Sequence, residues 1–228
     1  MPIQIHTDLV QGSDEWLAAR CGLLTASEMS LILTPTLKVA QNDKQRAHLY
    51  ELLAQRITNY VEPRYLSDDM LRGHIDEAEA LALYEQHYAP VETAGFITND
   101  EWGFTLGYSP DGLVGTDGLV EVKSRRQKYQ VETFCVHVTE QTIPADYVLQ
   151  IQTGLLVTGR KWCDLVSYSA GLPMARIRAY PDEAMQDAIV KAATSFETAL
   201  SVAREKYDAA IVGAPTTERR AAEQEMVL

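Results

Sequence analysis

Cysteine is scarce and unpatterned. Across 228 residues there are three, Cys21, Cys135 and Cys163, with no Cys-x-x-Cys pair, which excludes a disulfide framework and a zinc knuckle. Long apolar runs are missing too: nothing approaches the ~18 consecutive apolar residues of a membrane span, and the first ten residues carry His6 and Asp8 without a basic stretch. No membrane association and no secretory signal are therefore expected, and the setting reads as cytoplasmic. Positive charge is in short supply. Twenty Lys and Arg stand against 32 Asp and Glu, a formal net charge of -12, which excludes a protein that coats nucleic acid through bulk charge but leaves a local basic channel open. There is no internal repeat, low-complexity block or Gly/Ser linker before residue 213, so the expectation is one domain over 1–212 and a polar tail over 213–228. Within that tail, residues 218–226 could form a helix on a partner surface.

What is present is an ordinary globular composition, 46% apolar and 23% charged. Ser13 reads as the cap of a short helix carrying Trp16 and Leu17 and stopped by Gly22; Thr25 and Glu28 have capping-box spacing for a helix that Pro35 ends. Apolar residues at helical spacing predict helices over 43–60 and 67–88. The period then shortens. Segments 95–98, 104–108 and 119–124 read as adjacent strands of a hairpin or meander, followed by helices over 127–138 and 144–157, with Pro144 in a first-turn position. Strands over 162–169 and 175–179 and a long amphipathic helix from Pro181 close the chain. That order predicts an α/β or α+β fold with a sheet flanked by helices on both faces.

The densest chemical signal runs from Ser109 to Lys123. Ser109-Pro110-Asp111-Gly112 forms a turn that sets a carboxylate beside a strand, and Glu121-Val122-Lys123 follows ten residues on. Residues two apart on a strand share a face, so Glu121 and Lys123 point one way and Val122 the other. A hairpin between the two motifs brings Asp111 beside Glu121. Hard carboxylate oxygens suit Mg²⁺ or Mn²⁺, and an ammonium beside them is either a plain ion pair or a group that handles a metal-bound water. Glu77 lies on the preceding helix with Gly73 one turn before it on the same face; Asp76, Glu77 and Glu79 also read as a solvated acidic face. Gln150 and Gln152 interrupt an otherwise apolar helix, where buried amides need partners.

This series, a helical Glu, then Pro-Asp, Glu-x-Lys and Gln-x-Gln, resembles the PD-(D/E)XK nuclease core, and more narrowly the lambda exonuclease (YqaJ-like viral recombinase) family. The likeness also takes in residues 11–20 and Leu24-Thr25-Ala26-Ser27-Glu28. It implies a restriction-endonuclease-like mixed central sheet. It further implies that Glu77, Asp111, Glu121 and the Val122 carbonyl are metal ligands, that Lys123 activates water, and that Gln152 and Gln150 support the lysine. By the same resemblance Arg20, Ser27 and Ser109 bind a terminal 5′-phosphate and Met70 wedges between strands at the duplex junction. Ser27, in the first turn after Thr25, has the separate attraction of helix amides for an anion, and Arg20 offers a bidentate fork, though an ion pair with Asp14 or Glu15 is its ordinary alternative. The expected activity is 5′-to-3′ digestion of linear double-stranded DNA with two Mg²⁺ per site, Mn²⁺ substituting, by a phage or prophage protein in a bacterial host. The expected partners are two further copies in a ring-shaped homotrimer and a single-strand-annealing protein. The rival readings are an endonuclease on the same core and a non-catalytic DNA-end-binding scaffold. The basic residue expected after Glu-x-Lys has no clean counterpart; Arg125, Arg126 and Lys128 lie nearby but offset.

Overall fold

A computed structural model describes residues 2–63 and 68–219. The N-terminal half supplies β1 (Ile3–His6), α1 (Asp14–Arg20), β2 (Leu24–Thr25), a 3₁₀ turn (Ala26–Glu28), α2 (Met29–Ile32), α3 (Asp43–Thr58) and α4 (Asp68–His87). Then come β3 (Phe96–Asn99), β4 (Leu106–Tyr108), β5 (Gly112–Val114), β6 (Gly118–Ser124), α5 (Gln127–Glu132), a π-helical turn (Thr133–Val138), α6 (Ala145–Thr158), β7 (Trp162–Tyr168), β8 (Ala175–Ala179) and α7 (Glu183–Ala210).

The local signals act as their chemistry requires. Ser13 Oγ accepts from the Trp16 amide at 3.2 Å, and Glu28 Oε2 accepts from the Thr25 amide at 3.3 Å and the Thr25 hydroxyl at 2.8 Å. Pro144 stands at the cap itself, one residue before the first turn of α6. One expectation fails: the middle strands are not a single meander. They divide between two four-stranded sheets, β1-β3-β4-β2 and β5-β6-β7-β8, and β4 does not pair with β6. Both sheets are mixed, β2 with β4 and β6 with β7 being the parallel pairs. The chain crosses from one sheet to the other at Ser109-Pro110-Asp111, so the turn that carries the aspartate is a junction between sheets.

Alternation along β6 then sorts the faces. Leu119 packs in the larger core with Leu155, Leu165, Phe196 and Leu200, under α6 and α7. Val120 and Val122 pack in a smaller core with Ala80 and Tyr84 of α4. Helices therefore cover both faces of this sheet. Arg56 of α3 holds Glu197 of α7 through two contacts of 2.7 Å, fixing the outer helix layer. No helix among the described residues is long and apolar enough to cross a membrane. α7 ends two residues before the expected tail; Arg219 lies 3.9 Å over the Tyr60 ring, and residues 220–228 are outside the described residues.

Candidate active site

The β5–β6 hairpin pairs Gly112 with Val120, which returns Asp111 to the neighbourhood of Glu121. Asp111 Oδ2 accepts from the Val122 amide at 2.6 Å. Glu121 is 1% exposed and is held from three directions: Tyr108 Oη donates to Oε2 at 2.7 Å, Lys123 Nζ donates to Oε1 at 2.7 Å, and the Gln150 amide also donates to Oε1. A buried carboxylate without such partners would be costly, and here three donors supply them. The Tyr108 ring fits because residue 154 is glycine; a Cβ there would stand 2.8 Å from the tyrosine Cζ.

Charge couples the cluster. Burial, then the charge of Glu121, pushes the Asp111 carboxyl well above the usual carboxylate range, with Lys123 opposing. Burial likewise raises Glu77, offset by His74 and reinforced by Glu121. Burial alone would lower the Lys123 ammonium, but Glu121 and Asp111 outweigh it and hold it above the ordinary lysine value. Lys123 keeps its ammonium 2.7 Å from Glu121 at 21% side-chain exposure.

These groups open on a cleft of about 380 Å³ that Glu77, Asp111, Glu121, Val122, Lys123 and Gln150 share with Arg20, Ser27 and Ser109. At Gly73, also on its wall, an added Cβ would meet nothing within 4 Å among the described residues. The acidic face of α4 is not simply solvated. Asp76 is 7% exposed and accepts from Ser124, and Glu79 accepts from Tyr168 at 2.6 Å, so Asp76 and Glu79 clamp α4 to the sheet while Glu77 faces the cleft.

Arg20 lies at the other end. Its guanidinium donates to Ser109 Oγ at 3.1 Å and Thr25 Oγ1 at 3.2 Å and stacks 4.3 Å over Trp16. It is therefore turned into the cleft. Ser27 Oγ lies 3.3 Å from Thr25 Oγ1, so a third hydroxyl adjoins the two that Arg20 contacts. Gln152 does not reach this site. Its side chain accepts from the Asp182 amide at 2.9 Å and donates to the Tyr180 carbonyl at 2.8 Å, tying α6 to the start of α7. Two residues along a helix turn by about 200°, so only one member of Gln-x-Gln can face the cleft, and it is Gln150. The Met70 side chain lies outside the described residues.

Sequence reasoning missed Tyr108, which strand alternation next to Ser109 could have flagged, and the Trp16 indole, which donates to Ser109 Oγ and the Gly95 carbonyl at 3.0 Å each. It also missed Tyr147, whose ring lies 5.4 Å from Lys123 Nζ.

Among the described residues no three His, Cys, Asp or Glu side chains form a closed metal cage. The donor set still fits Mg²⁺, a hard ion that takes one or two carboxylates and keeps several waters. Asp111 and Glu121 are such a pair.

Residues 15–161 match the YqaJ-like viral recombinase domain family. Among solved structures, an alkaline exonuclease from Laribacter hongkongensis is similar at 29% identity and a TM-score of 0.77, over 89% of this chain and 100% of that one. That exonuclease in complex with dAMP matches at 30% identity with the same coverage and TM-score. A phage-related exonuclease from Haemophilus somnus shares the fold at 12% identity, TM-score 0.54, over 85% of this chain and 96% of that one. No curated protein sequence matches the chain.

Proposed function

The chain belongs to the YqaJ-like viral recombinase domain family, and on that premise we propose that it is a metal-dependent exonuclease that degrades the 5′-ended strand of linear double-stranded DNA. It releases mononucleotides and leaves a 3′ single strand for annealing-type recombination. The observation that carries the reading is the shared cleft: the acid–lysine cluster and an arginine that contacts two hydroxyls line one cavity of about 380 Å³. A terminal phosphate seated on Arg20, Ser27 and Ser109 would share that cavity with Lys123, the arrangement an end-directed enzyme needs. The relative with dAMP is in keeping with a mononucleotide product.

Asp111 and Glu121 would hold Mg²⁺, two ions per site with Mn²⁺ able to substitute, joined by the Val122 carbonyl and Glu77. Such an ion, when bound, polarises the phosphodiester and lowers the pKa of its water. The remaining work belongs to the chain. Lys123, fixed 2.7 Å from Glu121, orients the water and offsets negative charge gathering on the phosphate. Gln150 and Tyr108 keep Glu121 in one orientation, so little reorganisation is needed during reaction. We also propose a ring-shaped homotrimer and a single-strand-annealing partner.

The test is incubation with linear and covalently closed DNA, with Mg²⁺ and then with EDTA. Digestion of the linear form alone, stopped by EDTA, is expected. Cleavage of closed circles would make it an endonuclease, and intact linear DNA would leave an end-binding scaffold.

A further inference from the structure

Four of the twenty Lys and Arg, namely Lys123, Arg125, Arg126 and Lys128, fall within six consecutive residues, and no acid interrupts 122–131. In a chain of net charge -12 this is a local concentration of positive charge, and it begins at the candidate active site. The cations alternate in space with tyrosines. Lys123 Nζ lies 5.4 Å from the centre of the Tyr147 ring, and Arg125 lies 5.2 Å from the same ring and 5.0 Å from that of Tyr129. Lys128 Nζ follows at 4.5 Å from Tyr129. Arg125 also donates to the Tyr147 hydroxyl at 2.6 Å, while its Nε has no acceptor among the described residues.

The base beneath this ladder is rigid. Gln130, fully buried, donates to the Ser167 and Pro173 carbonyls at 3.0 and 2.7 Å and accepts from the Ser167 hydroxyl at 2.5 Å, which pins α5 to the β7–β8 end of the sheet. Tyr129, one residue earlier and about 100° round that helix, is 41% exposed.

We propose that this ladder is a track for a single strand of DNA, leading it to Lys123, with bases lying on Tyr129 and phosphates on Arg125 and Lys128. Interleaved aromatic faces and cations complement unstacked bases on a charged backbone. A duplex hides its base faces inside the stack, so tyrosines would add nothing to its binding. The inference rests on the nuclease reading only for where the strand goes, not for its being bound.

The experiment measures binding of a fluorescent oligothymidylate by anisotropy in EDTA, across a salt series, for the full chain and for Tyr129→Ala and Lys128→Ala. Both side chains are exposed and outside the catalytic cluster. Tyr129→Ala should weaken binding roughly fivefold to a hundredfold, the range for one stacked base. Lys128→Ala should flatten the slope of log affinity against log salt by ~0.7, the effect of one phosphate contact on a single strand. Hydrolysis of thymidine 5′-monophosphate p-nitrophenyl ester, too short to reach Tyr129, should be unchanged in both variants. Wild-type affinity and salt slope in both variants overturn the track, and so does matching loss of ester hydrolysis, which would place these residues at the reaction centre. If the variants lose oligonucleotide binding while the unaltered chain digests no DNA with any divalent metal, the track stands and the nuclease reading falls.

Discussion

Glu121 shows what a single side chain contributes. Tyr108, Lys123 and Gln150 converge on it, and its neighbour Asp111 is anchored to the next amide along the same strand. Lys123→Ala should lower turnover by ~10² to 10⁴ without unfolding the chain, since it removes a group acting in the transition state. Near-native rates in a folded sample would remove Lys123 from the mechanism. Asp111→Ala should also raise the metal concentration needed for any residual activity, read from a Mg²⁺ titration. At the far end of the cleft, Arg20→Ala should erase most of a preference for 5′-phosphate over 5′-hydroxyl ends. A charge-assisted contact contributes ~1.5 to 3 kcal/mol, so that preference should be roughly tenfold to a hundredfold, measured as paired rates on otherwise identical duplexes. A phosphate preference unchanged by the substitution would place the pocket elsewhere.

Elements bring these residues together, and here the sequence was legible unevenly. Capping at Ser13 and Thr25 and the faces of β6 follow from local rules, and so does the return of Asp111 through a tight hairpin. The division into two sheets does not. β1 and β2 are four and two residues long, and their pairing with β3 and β4 is non-local, so no periodicity announces them. Gln-x-Gln misled for a related reason: the motif gives composition, while helix rotation decides which amide faces the cleft. Asp164 in β7 is another element-scale feature with no sequence signature. It is fully buried and bound by Tyr84 of α4 at 2.7 Å and by Arg176 and Arg178 of β8 at 3.2 and 2.7 Å, joining a helix to a sheet edge. Burial alone would raise its carboxyl, but the Arg178 and Tyr84 hydrogen bonds, with the arginine charges, outweigh that and hold it below the ordinary value. Its stabilising contribution is therefore complete above the unfolded carboxylate pKa of ~3.9 and is lost as pH falls through the lower folded value. Denaturant midpoints should show Asp164→Ala destabilised by ~3 to 5 kcal/mol at neutral pH, with a smaller further loss between about pH 5 and 3 than the unaltered chain. Equal acid sensitivity in both would contradict the assignment.

At the scale of the whole molecule, a net charge of -12 opposes DNA at long range, and attraction must come from local clusters such as 123–128. Closure of three copies around the duplex would retain a substrate that bulk charge does not hold. Light scattering should therefore give three times the 25.4 kDa chain mass, and a monomer at micromolar concentration that still digests processively would rule out the ring. The central claim is narrower: one cleft binds a 5′ end and cleaves beside it. It is tested most directly by digesting linear duplex DNA that carries a label on one strand, at its 5′ end in one sample and its 3′ end in another. With Mg²⁺, the 5′ label should appear as mononucleotide from the first time points, the 3′ label should stay in long fragments, and Lys123→Ala should release neither. Early release of the 3′ label, or undiminished release by Lys123→Ala, would contradict the account.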